Sequence, residues 1–259
     1  VPATDESWST NYDLCRVPVS GGTTEWETLT VANQAADGLP VFSPDGTSLA
    51  YRAQRKPGYE ADKWEIMVAD CKPDGSLTSE ATSFTAEVDL SFDEIVWKSN
   101  DQIITVAESN GGKALFSLSL KSPNIVERGQ SVGSSGSLSI SHDGNTLVCS
   151  NTRLTHPADI YRVRLEPSFL RSKAPGDNLS HANDTLLAEL DLPDADSVTV
   201  VGADGDPMQM WILTPPGFDK TKKWPLAFLV HGGPQGAWAD GDLVGRSADH
   251  GFAIGCQLL

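Results

Sequence analysis

"LPVFSPDGTSLAYRAQ", residues 39 to 54, sets an apolar strand, a Ser43-Pro44-Asp45-Gly46 turn and a second apolar strand side by side. The glycine supplies the positive φ that a tight hairpin turn demands. The template returns at "LSISHDGNTLVCSNTR" (138–153), with Ser141-His142-Asp143-Gly144 in the turn, and in degenerate form at "EIVWKSNDQIITVAES" (94–109). Each copy is followed by another run of alternating or apolar character: "KWEIMVAD" (63–70), "ALFSLSLK" (114–121) and "DIYRVRLEP" (159–167). A unit of about four short strands recurring every 40 to 55 residues or so fits a β-propeller blade, whereas a sandwich has no such period. The opening "NYDLCRVPVSGG" (11–22) reads as the last strands of a preceding unit. Residues 1–190 are thus expected to form a partial β-propeller of about three blades, since rings close with about four to eight.

Near residue 190 the pattern breaks. "SVTVVGADGDPMQMWILTPPGF" (197–218) reads as a hairpin turning at Asp204-Gly205, and "WPLAFLV" (224–230) is continuously apolar, as expected of a strand buried on both faces of an α/β sheet. That run feeds His231-Gly232-Gly233-Pro234. Adjacent glycines let backbone amides approach a reacting oxygen with no Cβ in the way, and the proline fixes the direction of exit. Such a loop supplies one oxyanion amide in serine hydrolases, the other coming from the residue after the nucleophile of Gly-x-Ser-x-Gly. Residues 191–259 are therefore expected to begin an α/β-hydrolase domain, and the whole chain to be mostly β. The one Gly-x-Ser-x-Gly match, Gly129 to Gly133, lies among the repeats, and none follows this loop in the sequence. "GRSADH" (245–250) offers Gly245-x-Ser247 with Asp249 where the last glycine belongs, and the proximity of Ser247 to His250 reads as chance.

With 35 acidic against 19 basic residues the formal charge is −16, which repels nucleic acid and anionic membrane surfaces. No apolar run approaches the roughly 20 residues of a membrane-spanning helix. Cys15, Cys71, Cys149 and Cys256 lie far apart without metal-ligand spacing, so neither metal nor cofactor is expected. Cys15 and Cys71 each end a β-like run and either meet as neighbours or remain thiols. The start "VPATDESWSTNYDLC" has no initiator Met, basic n-region or apolar h-region and looks internal. Asn178-Leu179-Ser180 and Asn183-Asp184-Thr185 are glycosylation sequons, which point toward secretion.

Read whole, "DGDPMQMWILTPPGFDKTKKWPLAFLVHGGPQGAW" (204–238), preceded by these repeats, closely resembles the prolyl oligopeptidase family of serine peptidases. Within it, the similarity is to the branch of acylaminoacyl-peptidases and secreted fungal dipeptidyl-peptidases. The carrying features are Trp211, Pro215-Pro216-Gly217-Phe218, His231 to Gly236 before Trp238, and "RKPGYEADKWEIMV" (55–68). The resemblance covers about residues 1–241; the tail 242–259 departs from it. It implies a propeller capping a hydrolase and restricting access to peptides, with Gly233 giving an oxyanion amide and Gly232 and His231 shaping the loop. His231 stands where other branches place an oxyanion tyrosine. The family's Ser, Asp and His come later in the chain than this loop, so these 259 residues are expected to be an inactive fragment.

An enzyme that removes dipeptides must hold a free α-ammonium at a fixed distance from its nucleophile, and a propeller carboxylate is a physical means of doing so. Glu60 and Asp62 are the candidates, the alternative being carboxylates that are solvated or paired to Arg52, Arg55 or Lys56. The expected function is that of a secreted serine exopeptidase releasing amino-terminal dipeptides through an acyl-enzyme. An acylaminoacyl-peptidase and a non-catalytic propeller binding module are the rivals.

Overall fold

The structure, a computed structural model, describes residues 9–20, 26–129, 132–165, 176–229 and 238–240. It is mostly β, with 46% of the described residues in strands and bridges. Two compact units divide it, the first comprising residues 1–107, 115–128 and 138–145 and the second 108–114, 129–137 and 146–259.

In the first unit a ribbon pairs β1 (Cys15–Arg16) with β2 (Glu27–Thr28). Strands β3 (Asp37–Phe42), β4 (Ser48–Ala53), β5 (Glu65–Asp70) and β6 (Thr82–Ser83) follow as an antiparallel sheet in chain order. The Ser43–Gly46 turn forms as its sequence dictates. Gly46 N–H donates to Ser43 O at 2.9 Å with φ +72°, and Asp45 Oδ1 accepts the Ser43 hydroxyl at 2.7 Å. Alternation along β4 sends Leu49, Tyr51 and Ala53 into one core with Leu14 and Cys71.

Strands β7 (Phe92–Ser99), β8 (Gln102–Ser109), β9 (Gly112–Ser119) and β10 (Val126–Arg128) come next, β8 hydrogen-bonded to β7, β9 to β8 and β10 to β9. The degenerate repeat lacks a turn glycine, and Ser99 Oγ donating to Asp101 Oδ1 at 2.7 Å closes its turn instead. Ile103 to Ala107 are buried without a break, the mark of a strand covered on both faces, and Phe92 meets Phe116 edge-on at 5.9 Å. Trp97 Nε1 donates to Val41 O at 2.9 Å and ties β7 to β3.

In the second unit β11 (Ser134–Ile140), β12 (Thr146–Arg153), β13 (His156–Arg164) and β14 (Asp177–Asn178) are neighbours in chain order, and β11 meets β9 in parallel where Ser134 pairs with Lys113. A four-residue helix, α1 (Asp184–Leu187), precedes the hairpin of β15 (Asp194–Val201) and β16 (Pro207–Thr214). These two strands pair without interruption from Asp194–Thr214 to Val201–Pro207, turning at Asp204 and Gly205 with φ +55° and +89°. Thus each repeat of the sequence is a hairpin followed by a third strand, β5, β9 or β13.

One expectation is corrected. Residues 224–229 of "WPLAFLV" belong to no strand, and Leu226 and Phe228 are 87% and 74% exposed. A strand buried on both faces needs partners on either side, and no described strand pairs with it.

Candidate functional site

The segment between β4 and β5 is organised by its own polar side chains. Gln54, buried at 6% exposure, donates from Nε2 to Glu60 O at 3.0 Å and to Asp62 O at 2.7 Å. Asp62 Oδ2 accepts the backbone N–H groups of Arg55 and Lys56 at 2.8 and 2.9 Å, and Lys56 Nζ stands 3.9 Å from its other oxygen. Asp62 therefore closes the loop, while Glu60 sits on the exposed arm beyond Gly58, whose φ is +69°. Its carboxylate takes no hydrogen bond or ion pair among the described residues. Tyr59 stands beside it, 51% exposed, with Lys56 Nζ 5.3 Å from its ring centre.

Behind this loop lies a set of charges that sequence reasoning did not single out. Glu65, 3% exposed, binds Arg55 at 2.8 Å and the Ser83 hydroxyl at 2.7 Å. Burial alone would raise its pKa, but those hydrogen bonds and the charges of Arg55 and Lys63 hold it below the ordinary value. Arg52 NH1 reaches Asp93 at 2.6 Å, with its guanidinium 4.2 Å from the Trp64 ring centre, and the Tyr12 ring centre lies 6.2 Å from that of Trp64. Asp37 is buried at 1% exposure, with Oδ1 accepting from Asn33 Nδ2 at 2.9 Å and Oδ2 without a hydrogen-bond partner among the described residues. Burial pushes its pKa up to about 6, and the nearby Asp13 charge adds to the effect. The only signal in sequence was an acidic residue opening a strand, which reads more simply as part of a turn.

His231, Gly232 and Gly233 lie outside the described residues. The segment's two flanks are described: Trp224 Nε1 donates to Asp219 O at 2.9 Å and its ring meets Phe218 at 5.4 Å, and Ala239 is buried. Trp211 sits half-buried in β16 opposite Ser197. Asn178 Oδ1 accepts the N–H groups of Ser180 and His181, each at 3.1 Å, and its Nδ2 donates to Asp159 at 3.3 Å. Asn183 donates to Ala158 O at 3.0 Å. Cys15, Cys71 and Cys149 are thiols; Cys15 lies beside Thr28 and Cys71 beside Gly46, so the first two do not meet. Among the described residues no three His, Cys, Asp or Glu side chains are grouped to hold a metal ion.

No family model matches the chain. The chain is 33% identical over 201 residues to a probable dipeptidyl-peptidase 5 of Emericella nidulans, covering 77% of this chain and 27% of that protein. It is 34% identical over 221 residues to dipeptidyl-peptidase 5 of Trichophyton schoenleinii, covering 80% and 28%. An acylaminoacyl peptidase of Pyrococcus horikoshii shares the fold, with a TM-score of 0.60 at 15% identity over 84% of this chain and 30% of that one. The chain belongs to the prolyl oligopeptidase family. This prolyl oligopeptidase-family chain spans just over a quarter of the length of the curated relatives it matches. The family membership agrees with the repeats and with the Gly-Gly-Pro segment on which the resemblance was drawn.

Proposed function

We propose that these residues are the propeller portion and the first hydrolase segment of a secreted serine exopeptidase that releases dipeptides from peptide amino termini. The observation that carries this is the 33–34% identity to dipeptidyl-peptidases 5 over some four-fifths of the chain. In this reading residues 1–190 make about three propeller blades and residues 191–259 begin the α/β-hydrolase domain. The blade reading is supported by three hairpins each followed by a third strand.

The backbone amide of Gly233 stabilises the oxyanion formed when the nucleophile attacks the scissile carbonyl, with Gly232 and His231 shaping the loop. An amide so placed acts on a charge that exists only along the reaction path, so it raises turnover rather than substrate affinity. Glu60, an exposed carboxylate on a loop that Asp62 and Gln54 hold in shape, receives the substrate's α-ammonium. The division of labour is supported by geometry: Asp62 is engaged by two backbone amides and Glu60 is not. Secretion is supported by the two sequons, with Asn178 and Asn183 as the glycan acceptors. With no Gly-x-Ser-x-Gly following the 231–236 loop, where the fold places its nucleophile, the 259-residue chain by itself forms no acyl-enzyme.

The test uses the native protein, captured with an antibody against residues 55–68 and given one peptide with a free and one with an acetylated amino terminus. Mass spectrometry of the products is expected to show a dipeptide released from the free peptide alone. Release of an acetylated amino acid would select the acylaminoacyl-peptidase, and no cleavage would select the binding module.

A further inference from the structure

Gln54 follows β4 directly, and its backbone is fixed at both polar groups. Its N–H donates to Ala36 O at 2.8 Å, and its carbonyl accepts from Asn33 Nδ2 at 3.1 Å. The buried side chain then reaches into the loop of residues 55–62. Nε2 donates to Glu60 O at 3.0 Å and to Asp62 O at 2.7 Å, so the amide straddles Ala61. A primary amide carries two N–H donors, and a buried donor left unpaired is costly, so the loop is drawn down onto Gln54.

Little else determines where Glu60 stands. The base of the loop is secured by the Arg55 side chain on Glu65 and by the Arg55 and Lys56 N–H groups on Asp62. Beyond that base the chain makes two successive turns, Tyr59 N–H donating to Lys56 O at 3.2 Å and Asp62 N–H to Tyr59 O at 3.0 Å, and Glu60 lies in the second. Residues 55–61 are all exposed, and a Cβ built on Gly58 would meet nothing within 4 Å, so the tip has room to move. Among the described residues, the bond from Gln54 to Glu60 O is the one hydrogen bond that ties residues 57–61 to anything outside the loop.

We propose that Gln54 is the positioning residue that sets the length of the released product: through its bond to Glu60 O it holds the amine-binding carboxylate at the distance from the nucleophile that two residues span. The inference rests on the assignment of Glu60 to the substrate's α-ammonium. An extended residue covers about 3.3–3.6 Å, so a carboxylate displaced by that much registers a peptide one residue longer. A carboxylate held in one place also gives up less freedom when the amine arrives. Gln54 touches no substrate and acts through Glu60.

Product analysis of the native enzyme on an unblocked peptide tests this. The wild type should release dipeptides alone. Gln54→Asn keeps the amide but falls one methylene short of both carbonyls, and Gln54→Met keeps the length without the donors. Each variant should release tripeptides beside dipeptides. Each should also raise KM about tenfold for a free-amine dipeptidyl substrate, with kcat nearly unchanged and the N-acylated counterpart unaffected. Hydrogen exchange at the amides of residues 55–62 should rise about tenfold in both variants. In the wild type the Tyr59 and Asp62 amides should exchange at least about 100-fold more slowly than in an unstructured chain, a measurement that needs no variant.

A purely structural Gln54 would lower the melting temperature and leave product length as in the wild type. Dipeptides as the sole product of Gln54→Asn, unchanged exchange at residues 55–62 in the variants, or free exchange there in the wild type overturns the proposal. Failure of the Glu60 assignment is recognised separately, by Glu60→Gln acting equally on free and acylated substrates. A selective Glu60→Gln beside an unaltered product from Gln54→Asn overturns the role of Gln54 alone.

Discussion

Asp62 Oδ2 lies 2.8 Å from the backbone nitrogen of Arg55, closing the loop on which Glu60 stands exposed two residues earlier. A carboxylate that accepts backbone N–H groups is committed to shape, and the one beside it is free to meet a ligand.

The two should therefore separate on mutation. Glu60→Gln in the native enzyme is expected to raise KM strongly for a dipeptidyl substrate with a free amine and scarcely at all for its acylated counterpart, because only the former carries the charge. Asp62→Ala should instead lower thermal stability and weaken both substrates alike. Equal effects of Glu60→Gln on the two substrates would assign Glu60 a structural role.

Asp37 predicts a pH dependence of stability. Burial, with the Asp13 charge, raises its pKa from 3.8 to about 6 in the folded chain, against the pull of hydrogen bonds from Asn33 and Thr30. The fold thus favours the protonated acid, a contribution present below pH 3.8 and lost as pH rises through 6. Between pH 4 and 7.5 the wild type should lose about 2–3 kcal/mol relative to Asp37→Asn, which stays neutral throughout. Urea unfolding at the two pH values measures this, and parallel curves would contradict it.

The oxyanion assignment carries its own number. Replacing Gly233 by valine in the native enzyme should obstruct the amide's approach and lower kcat by about 100-fold, the scale of one lost oxyanion donor. Steady-state kinetics on a variant with normal circular dichroism decides it.

What the sequence disclosed depended on how local the cause was. The hairpins at Ser43–Gly46 and Ser141–Gly144 were legible because one glycine and one aspartate in four residues determine the turn, and Gly46 and Gly144 do adopt φ of +72° and +70°. The strand expected at 224–230 was not legible in the same way. Apolar character reports a tendency to be buried, but burial needs partner strands that no window of seven residues contains. Asp62 was recognised as a candidate but its work was not, since the amides it accepts come from a turn whose path depends on buried Gln54. Asp240 hydrogen-bonds to Gly111, Ser134 and Leu154, a juxtaposition that no spacing announces.

The most direct test of the account is covalent labelling of the native protein with a fluorophosphonate, followed by mapping of the labelled peptide. The account predicts label on the serine of a Gly-x-Ser-x-Gly sequence other than Gly129 to Gly133, in a polypeptide that also yields the peptides of residues 55–68 and 204–229. A native species of these 259 residues that takes up no label and releases no dipeptide would contradict it.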